Sequence, residues 1–146
     1  MSAPGLDVFV NRLEIAREVS SDEVTRAVKA TAQTEGIERG EISVTFVDRK
    51  TIVDLNKTHL DRSEPTDVIA FELGVPGVPL GDIYICPEIA RESAAEYGVE
   101  VRLELLRLVV HGTLHVLGYE HPDDSDRGES EMFRRQEAIL ASLLGA

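Results

Sequence analysis

Three of the four histidines in this chain lie within eleven residues, at positions 111, 115 and 121. Histidines four residues apart on a helix project from one face, so the imidazoles of His111 and His115 can reach one metal ion. Gly118 can take the left-handed conformation that ends a helix, which would bring His121 to the ion from a third direction. Three protein ligands with one open position are typical of catalytic zinc sites. The segment therefore predicts one zinc ion that activates a water molecule for hydrolysis.

Two other interpretations of the histidine segment are open. The three residues could be ordinary core or surface histidines that happen to cluster. The spacing H-x-x-x-H-x-x-G-x-x-H is also that of metzincin proteases, which carry a glutamate directly after the first histidine as general base. Here that position is Gly112. A metalloprotease would lack its proton acceptor unless Glu120 or Asp123 took that role, and Glu120 is the nearest candidate for any hydrolysis at this site.

The residues around the histidines predict a central helix that is covered on two sides. Glu104, Arg107, His111 and His115 form a row, in which we expect Glu104 and Arg107 to pair. Apolar stripes flank this row on both sides. One stripe contains Leu103, Leu106, Val110, Leu114 and Leu117, and the other contains Val101, Leu105, Val109 and Val116.

The remaining patterns alternate between strands and helices. Ser20 and Glu23 have the spacing of a capping box that begins a helix, and Pro87 suits the first turn of another. In the last helix we expect Phe133, Ile139 and other apolar residues to pack. The order predicts an α+β fold, a single layered domain over 1–146 in which about five helices pack on a mixed four-stranded sheet. The predicted strands are 6–11, 41–47, 67–73 and 82–86, with a hairpin between the last two, and the helices are 20–36, 50–59, 87–98, 100–118 and 125–144.

Composition is consistent with a small cytoplasmic protein. At 146 residues and 42% hydrophobic, the chain can bury one core. Its single cysteine, Cys86, excludes a disulfide within the chain, which favours a reducing compartment, and we expect it to be a buried residue at a strand end. The N-terminus has no basic start or apolar run, and no stretch approaches a membrane span of about 20 apolar residues. We therefore expect a cytoplasmic location and no membrane partner.

Four blocks of the sequence together resemble the YbeY family of single-strand-specific endoribonucleases, also called ribosomal RNA maturation factors. They are LNKTH at 55–59, PTDVIAF at 65–71, LGDIYIC at 80–86 and HGTLHVLGYEH at 111–121. The resemblance implies a zinc-dependent nuclease that cleaves single-stranded RNA, including ribosomal RNA, with His111, His115 and His121 as ligands. Processing of ribosomal RNA and maturation and quality control of the small ribosomal subunit, beside its assembly proteins, are implied as well. A non-catalytic ribosome-assembly factor with a structural metal is the alternative function.

The charge balance places limits on RNA binding. A formal net charge of -12 repels a nucleic-acid backbone at long range. Arg49, Lys57 and Arg62 could form a local basic patch that binds phosphate, or they could belong to a solvated helix face. At Leu60 many members of the family have an arginine that is proposed to hold RNA phosphate. We therefore expect weak intrinsic affinity for RNA, with recruitment assisted by the ribosome or a partner protein.

Overall fold

The computed structural model describes residues 5–60, 67–74, 78–118 and 126–145, without the side chains of 59–60 and 126–130. It has four strands and five α-helices over these residues, which confirms the predicted α+β class. None of the described helices is long and apolar enough to cross a membrane. The elements are β1 (Leu6–Asn11), α1 (Ser21–Thr34), β2 (Gly40–Phe46), α2 (Arg49–Leu60), β3 (Val68–Glu72), β4 (Leu80–Ile85), α3 (Pro87–Tyr97), α4 (Val101–Val116) and α5 (Asp126–Leu143), with one 3-10 turn at Leu13–Ile15.

The strands form one mixed sheet in the order β1-β2-β4-β3. β1 and β4 both run parallel to β2, whereas β3 is antiparallel to β4. The predicted hairpin between the last two strands is therefore confirmed. β4 begins at Leu80 rather than at the predicted position 82, because Leu80 and Gly81 pair with Glu41 and Ile42 of β2.

Alternate residues of β3 pack against two different clusters of buried side chains, so both faces of this part of the sheet are covered. Val68 and Ala70 pack against the main core, which also contains Val109 of α4. Ile69 and Phe71 belong instead to a smaller cluster with Ile52 of α2. Successive side chains of a strand point to opposite faces. Helix α4 therefore lies on one face of the sheet and α2 on the other.

Helix α4 is the central helix of the fold, as its two apolar stripes predicted. It contacts α1, α3, α5, β3 and β4. Two glycines allow it to lie close to β4: a Cβ at Gly112 would be 2.7 Å from Ile83 Cγ2, and one at Gly81 would be 2.4 Å from Val116 Cγ1. Since real Cβ atoms do not approach other atoms so closely, helix and strand are in direct backbone-to-side-chain contact at these points. The histidine-bearing half of α4 is thus held on a rigid support.

The N-terminus of α1 is fixed by the predicted capping box. Ser20 Oγ accepts a hydrogen bond from the Glu23 N–H at 3.1 Å, and Glu23 Oε1 accepts one from the Ser20 N–H at 3.0 Å.

The Ser20→Ala substitution should lower the free energy of unfolding by about 1 kcal/mol, because it removes the side-chain half of this capping box. Urea unfolding measures this change, and Ser21→Ala is the control because Ser21 is exposed and follows the cap. Equal stability of the two variants would show that the box contributes nothing.

Candidate metal centre

His111 and His115 lie one turn apart in the C-terminal half of α4, and their imidazoles face each other. The two Nε2 atoms are 3.1 Å apart. The ring centroids are separated by 4.6 Å and the ring planes cross at 76°. The structure therefore brings these two predicted ligands together. The predicted third ligand, His121, and the neighbouring Glu120 lie outside the described residues.

The separation of the two nitrogens fits a shared metal ion. Two ligand nitrogens at about 2.0–2.1 Å from one zinc ion in tetrahedral geometry are about 3.3 Å apart. The observed 3.1 Å between the Nε2 atoms of His111 and His115 is close to that value. Neutral imidazole nitrogens are also ligands that zinc accepts readily. His111 and His115 could thus hold zinc without a shift of the helix.

The C-terminal end of α4 provides a favourable electrostatic environment for a cation. His115 lies in the last turn of the helix, which ends at Val116. Gly118 has a φ of +111°, and its N–H donates to the carbonyl of His115 at 3.0 Å. The predicted helix stop at Gly118 is therefore confirmed. Because the C-terminus of a helix carries partial negative charge, a metal ion there would be stabilised. Among the described residues alone, no group of three or more His, Cys, Asp or Glu side chains is placed to hold an ion.

Gln136 of α5 is a polar contact of the site that the sequence analysis missed. Its Oε1 lies 2.6 Å from His111 Nδ1, and the side chain is buried. The signal was present in the sequence, because Gln136 falls in the same helical stripe as Met132 and Ile139, both of which are buried.

The expectation that Phe133 packs in the core was wrong. Phe133 is 56% exposed, since the buried face of α5 passes through Met132 and Gln136 instead.

A hydrogen bond and two ion pairs connect Gln136 back to α4. Gln136 Nε2 donates to Glu137 Oε2 at 3.0 Å. Arg107 donates to both carboxylate oxygens of Glu137, at 2.8 and 3.2 Å, and to Glu104 at 2.9 Å. The predicted pairing of Glu104 with Arg107 is therefore confirmed. Burial raises the pKa of Glu137, but hydrogen bonds from Arg107 and Gln136 outweigh it, so that this pKa lies below its ordinary value.

The lowered pKa of Glu137 predicts a contribution to acid sensitivity. A carboxyl group whose folded-state pKa lies below its ordinary 4.5 stabilises the fold above that pH, and this stability is lost as the pH falls through the folded-state pKa. Glu137→Gln should therefore lose less stability than the parent protein between about pH 5 and pH 3, by on the order of 1 kcal/mol or less. Urea unfolding of zinc-free protein measures this difference, with Glu131→Gln as a charge-matched control on α5. A parallel loss of stability in Glu137→Gln and the parent would contradict it.

The predicted basic residues are in different environments. Arg49 is paired with Glu88 at 3.2 Å and also with Glu92, both on α3. Its guanidinium group thus already has two carboxylate partners at the protein surface. Lys57 is exposed on α2, whereas Arg62 lies outside the described residues.

Cys86 is a buried residue at the end of β4, as predicted. It directly precedes Pro87, the first residue of α3. Burial raises the pKa of its thiol. Since the thiolate is the nucleophilic form, a protonated thiol is unreactive. Cys86 is therefore a packing residue and not a candidate nucleophile.

Comparison with known proteins relates this geometry to one family. Residues 8–144 match the family described as Endoribonuclease YbeY. The chain belongs to the YbeY endoribonuclease family. Membership confirms the resemblance found in the four sequence blocks and assigns the chain to the nucleases, a class of hydrolases.

Individual YbeY proteins support the same assignment. Endoribonuclease YbeY of Bacillus cereus is 39% identical over 148 residues, which cover 92% of this chain and 94% of that protein. The Staphylococcus epidermidis protein of the same name is 46% identical over 112 residues, 68% of this chain and 70% of its own length. The solution structure of a Thermotoga maritima protein has a TM-score of 0.65 and 27% identity, covering 96% of this chain and 89% of that one. The two YbeY proteins thus agree with this chain in sequence, and the Thermotoga maritima structure agrees with it in fold, over most of its length.

Proposed function

We propose that this protein is a zinc-dependent endoribonuclease that cleaves single-stranded RNA, with His111, His115 and His121 as the metal ligands. The observation that carries the proposal is the 3.1 Å approach of the His111 and His115 Nε2 atoms on the central helix of a YbeY-family chain. A catalytic ion needs ligands on rigid elements, and α4 is packed against three helices and two strands. An open coordination position then remains for substrate.

In the proposed mechanism, some residues bind or orient the metal ligands and another accepts a proton. When bound, zinc supplies a Lewis acid that polarises a phosphoryl oxygen and makes a nucleophile available near neutral pH. Gln136 orients the ring of His111 through the 2.6 Å contact. Glu120, next to His121 in the sequence, is the proposed proton acceptor. Hydrolysis forms a bond from water oxygen to phosphorus and breaks a P–O bond of the RNA backbone, and the departing oxygen takes up a proton.

Substrate contacts are proposed for Lys57 and Arg62. Lys57 is exposed and available for a phosphate, whereas Arg49 would have to exchange its two carboxylate partners for a phosphate. The net charge of -12 favours weak affinity for free RNA. We therefore propose that the substrate is presented as ribosomal RNA on the small ribosomal subunit, with its assembly proteins, in the cytoplasm.

Cleavage of matched RNAs tests this function. Metal-loaded protein should cleave a fluorophore-labelled single strand and leave the same sequence in a duplex intact, and a chelator should abolish the cleavage. Low salt should increase the rate at limiting RNA if Lys57 and Arg62 contact phosphate. Cleavage of casein instead of RNA would support a metalloprotease. A protein that binds metal and small ribosomal subunits but does not cleave RNA would support the assembly-factor alternative.

A further inference from the structure

We propose that Gln136 is a positioning residue that fixes His111 in the tautomer with hydrogen on Nδ1, so that the Nε2 lone pair faces His115 and the metal position. The inference rests on the metal site of the proposed function. It concerns the state of the site before any metal or RNA binds. The tautomer of His111 depends on which way the Gln136 amide points.

The orientation of that amide is determined by its second partner. Gln136 has one atom 3.0 Å from a carboxylate oxygen of Glu137 and the other 2.6 Å from His111 Nδ1. A carboxylate only accepts hydrogen bonds, so the amide nitrogen of Gln136 must face Glu137. Arg107 holds the carboxylate in place with two hydrogen bonds, at 2.8 and 3.2 Å. The amide oxygen is consequently the atom that faces His111.

The tautomer of His111 follows from the same reasoning. An amide oxygen only accepts hydrogen bonds, so His111 Nδ1 must carry the hydrogen. A neutral imidazole has one N–H, which leaves a lone pair on Nε2. That atom lies 3.1 Å from His115 Nε2 and would accept a hydrogen bond from it when His115 carries hydrogen on Nε2. A metal ligand needs this free lone pair, and a hydrogen bond on the opposite ring nitrogen is the usual means of providing it.

A neutral acceptor suits this position better than a carboxylate does. Gln136 is only 5% exposed, and Glu137 follows it directly. A buried carboxylate at position 136 would face the like charge of the partly buried Glu137 and would also carry a desolvation cost. The amide supplies the acceptor without that charge. Gln136→Glu should therefore preserve the tautomer of His111 at some cost in stability, whereas Gln136→Met removes the acceptor at similar volume.

Two measurements on zinc-free and zinc-titrated protein test the proposal. Long-range proton–nitrogen NMR of the imidazoles, about two pH units above the ordinary histidine pKa of about 6.5, reports the tautomer directly. The parent protein and Gln136→Glu should show His111 with hydrogen on Nδ1, and Gln136→Met should show a mixture of tautomers. Competition with a chromophoric chelator should give about 10- to 100-fold weaker zinc binding for Gln136→Met. Gln33→Met, the same change at an exposed position of α1, should match the parent in both measurements.

The proposal is overturned if His111 of the parent protein carries hydrogen on Nε2, or if folded Gln136→Met keeps the parent tautomer. The spectrum of the parent protein tests the tautomer of His111 even if Gln136→Met does not fold. The predicted tautomer and weaker zinc binding in a protein without nuclease activity would support the positioning role while rejecting the proposed function.

Discussion

Replacing His115 with alanine is expected to abolish RNA cleavage while the protein remains folded. Loss of a residue that only orients a ligand costs about 10- to 100-fold in metal affinity or activity, so loss of the ligand itself should reduce turnover by at least about 100-fold. The fold should survive because His115 is only partly buried and points toward His111 rather than into the apolar core. Turnover of labelled single-stranded RNA, zinc content and circular dichroism measure the three expected results.

The control for His115→Ala is Arg102→Ala, at the exposed and opposite end of α4. That variant loses its contact with Glu23 but should keep bound zinc and RNA cleavage. A folded His115→Ala protein that keeps zinc and turnover would contradict the metal site. Unfolding of His115→Ala in place of inactivation would favour a structural ion and the assembly-factor alternative.

Substitution of Gly112 is expected to destabilise the protein, although glycine is a poor helix former. Alanine in place of a mid-helix glycine ordinarily adds about 0.5–1 kcal/mol of stability. Here the new Cβ would lie 2.7 Å from Ile83 Cγ2 in the core between α4 and β4. Gly112→Ala should therefore cost about 1–3 kcal/mol from overpacking. Gly112→Glu should cost more than about 4 kcal/mol, because it also buries a carboxylate against an apolar side chain.

A double-mutant cycle with Ile83→Ala provides the control for Gly112. Removing the Ile83 side chain should make Gly112→Ala less costly, and the difference in urea unfolding free energies gives the coupling. Equal effects of Gly112→Ala in both backgrounds would contradict the close contact. This packing also gives a physical reason against the metzincin interpretation. The position of the metzincin glutamate faces β4, where there is no room for a general base.

Local patterns predicted the elements of the fold well, because helix periodicity and capping are local properties. The capping box at Ser20, the stop at Gly118 and the hairpin before β4 are each determined within a few residues. The strand order was not predictable from such signals. The parallel pairing of β2 with β4 joins residues about 40 positions apart and moves the start of β4 to Leu80.

In the candidate site, too, contacts within one helix were predictable from the sequence, and contacts between helices were not. The spacing of His111 and His115 predicted their convergence, since one helical turn relates them. Their partner Gln136 comes from α5, and the single sequence gave it no chemical motif. The ion pairs of Arg49 were likewise not predictable from the sequence, because Glu88 and Glu92 come from α3, about 40 residues away.

Titration of metal-free protein with zinc while RNA cleavage is followed tests the central claim most directly. Turnover of labelled single-stranded RNA should rise from background and reach its maximum at one zinc ion per chain, since one site is proposed. The parallel titration of His115→Ala should show no rise. Full turnover by the metal-free protein, or turnover that does not change as zinc binds, would contradict the account.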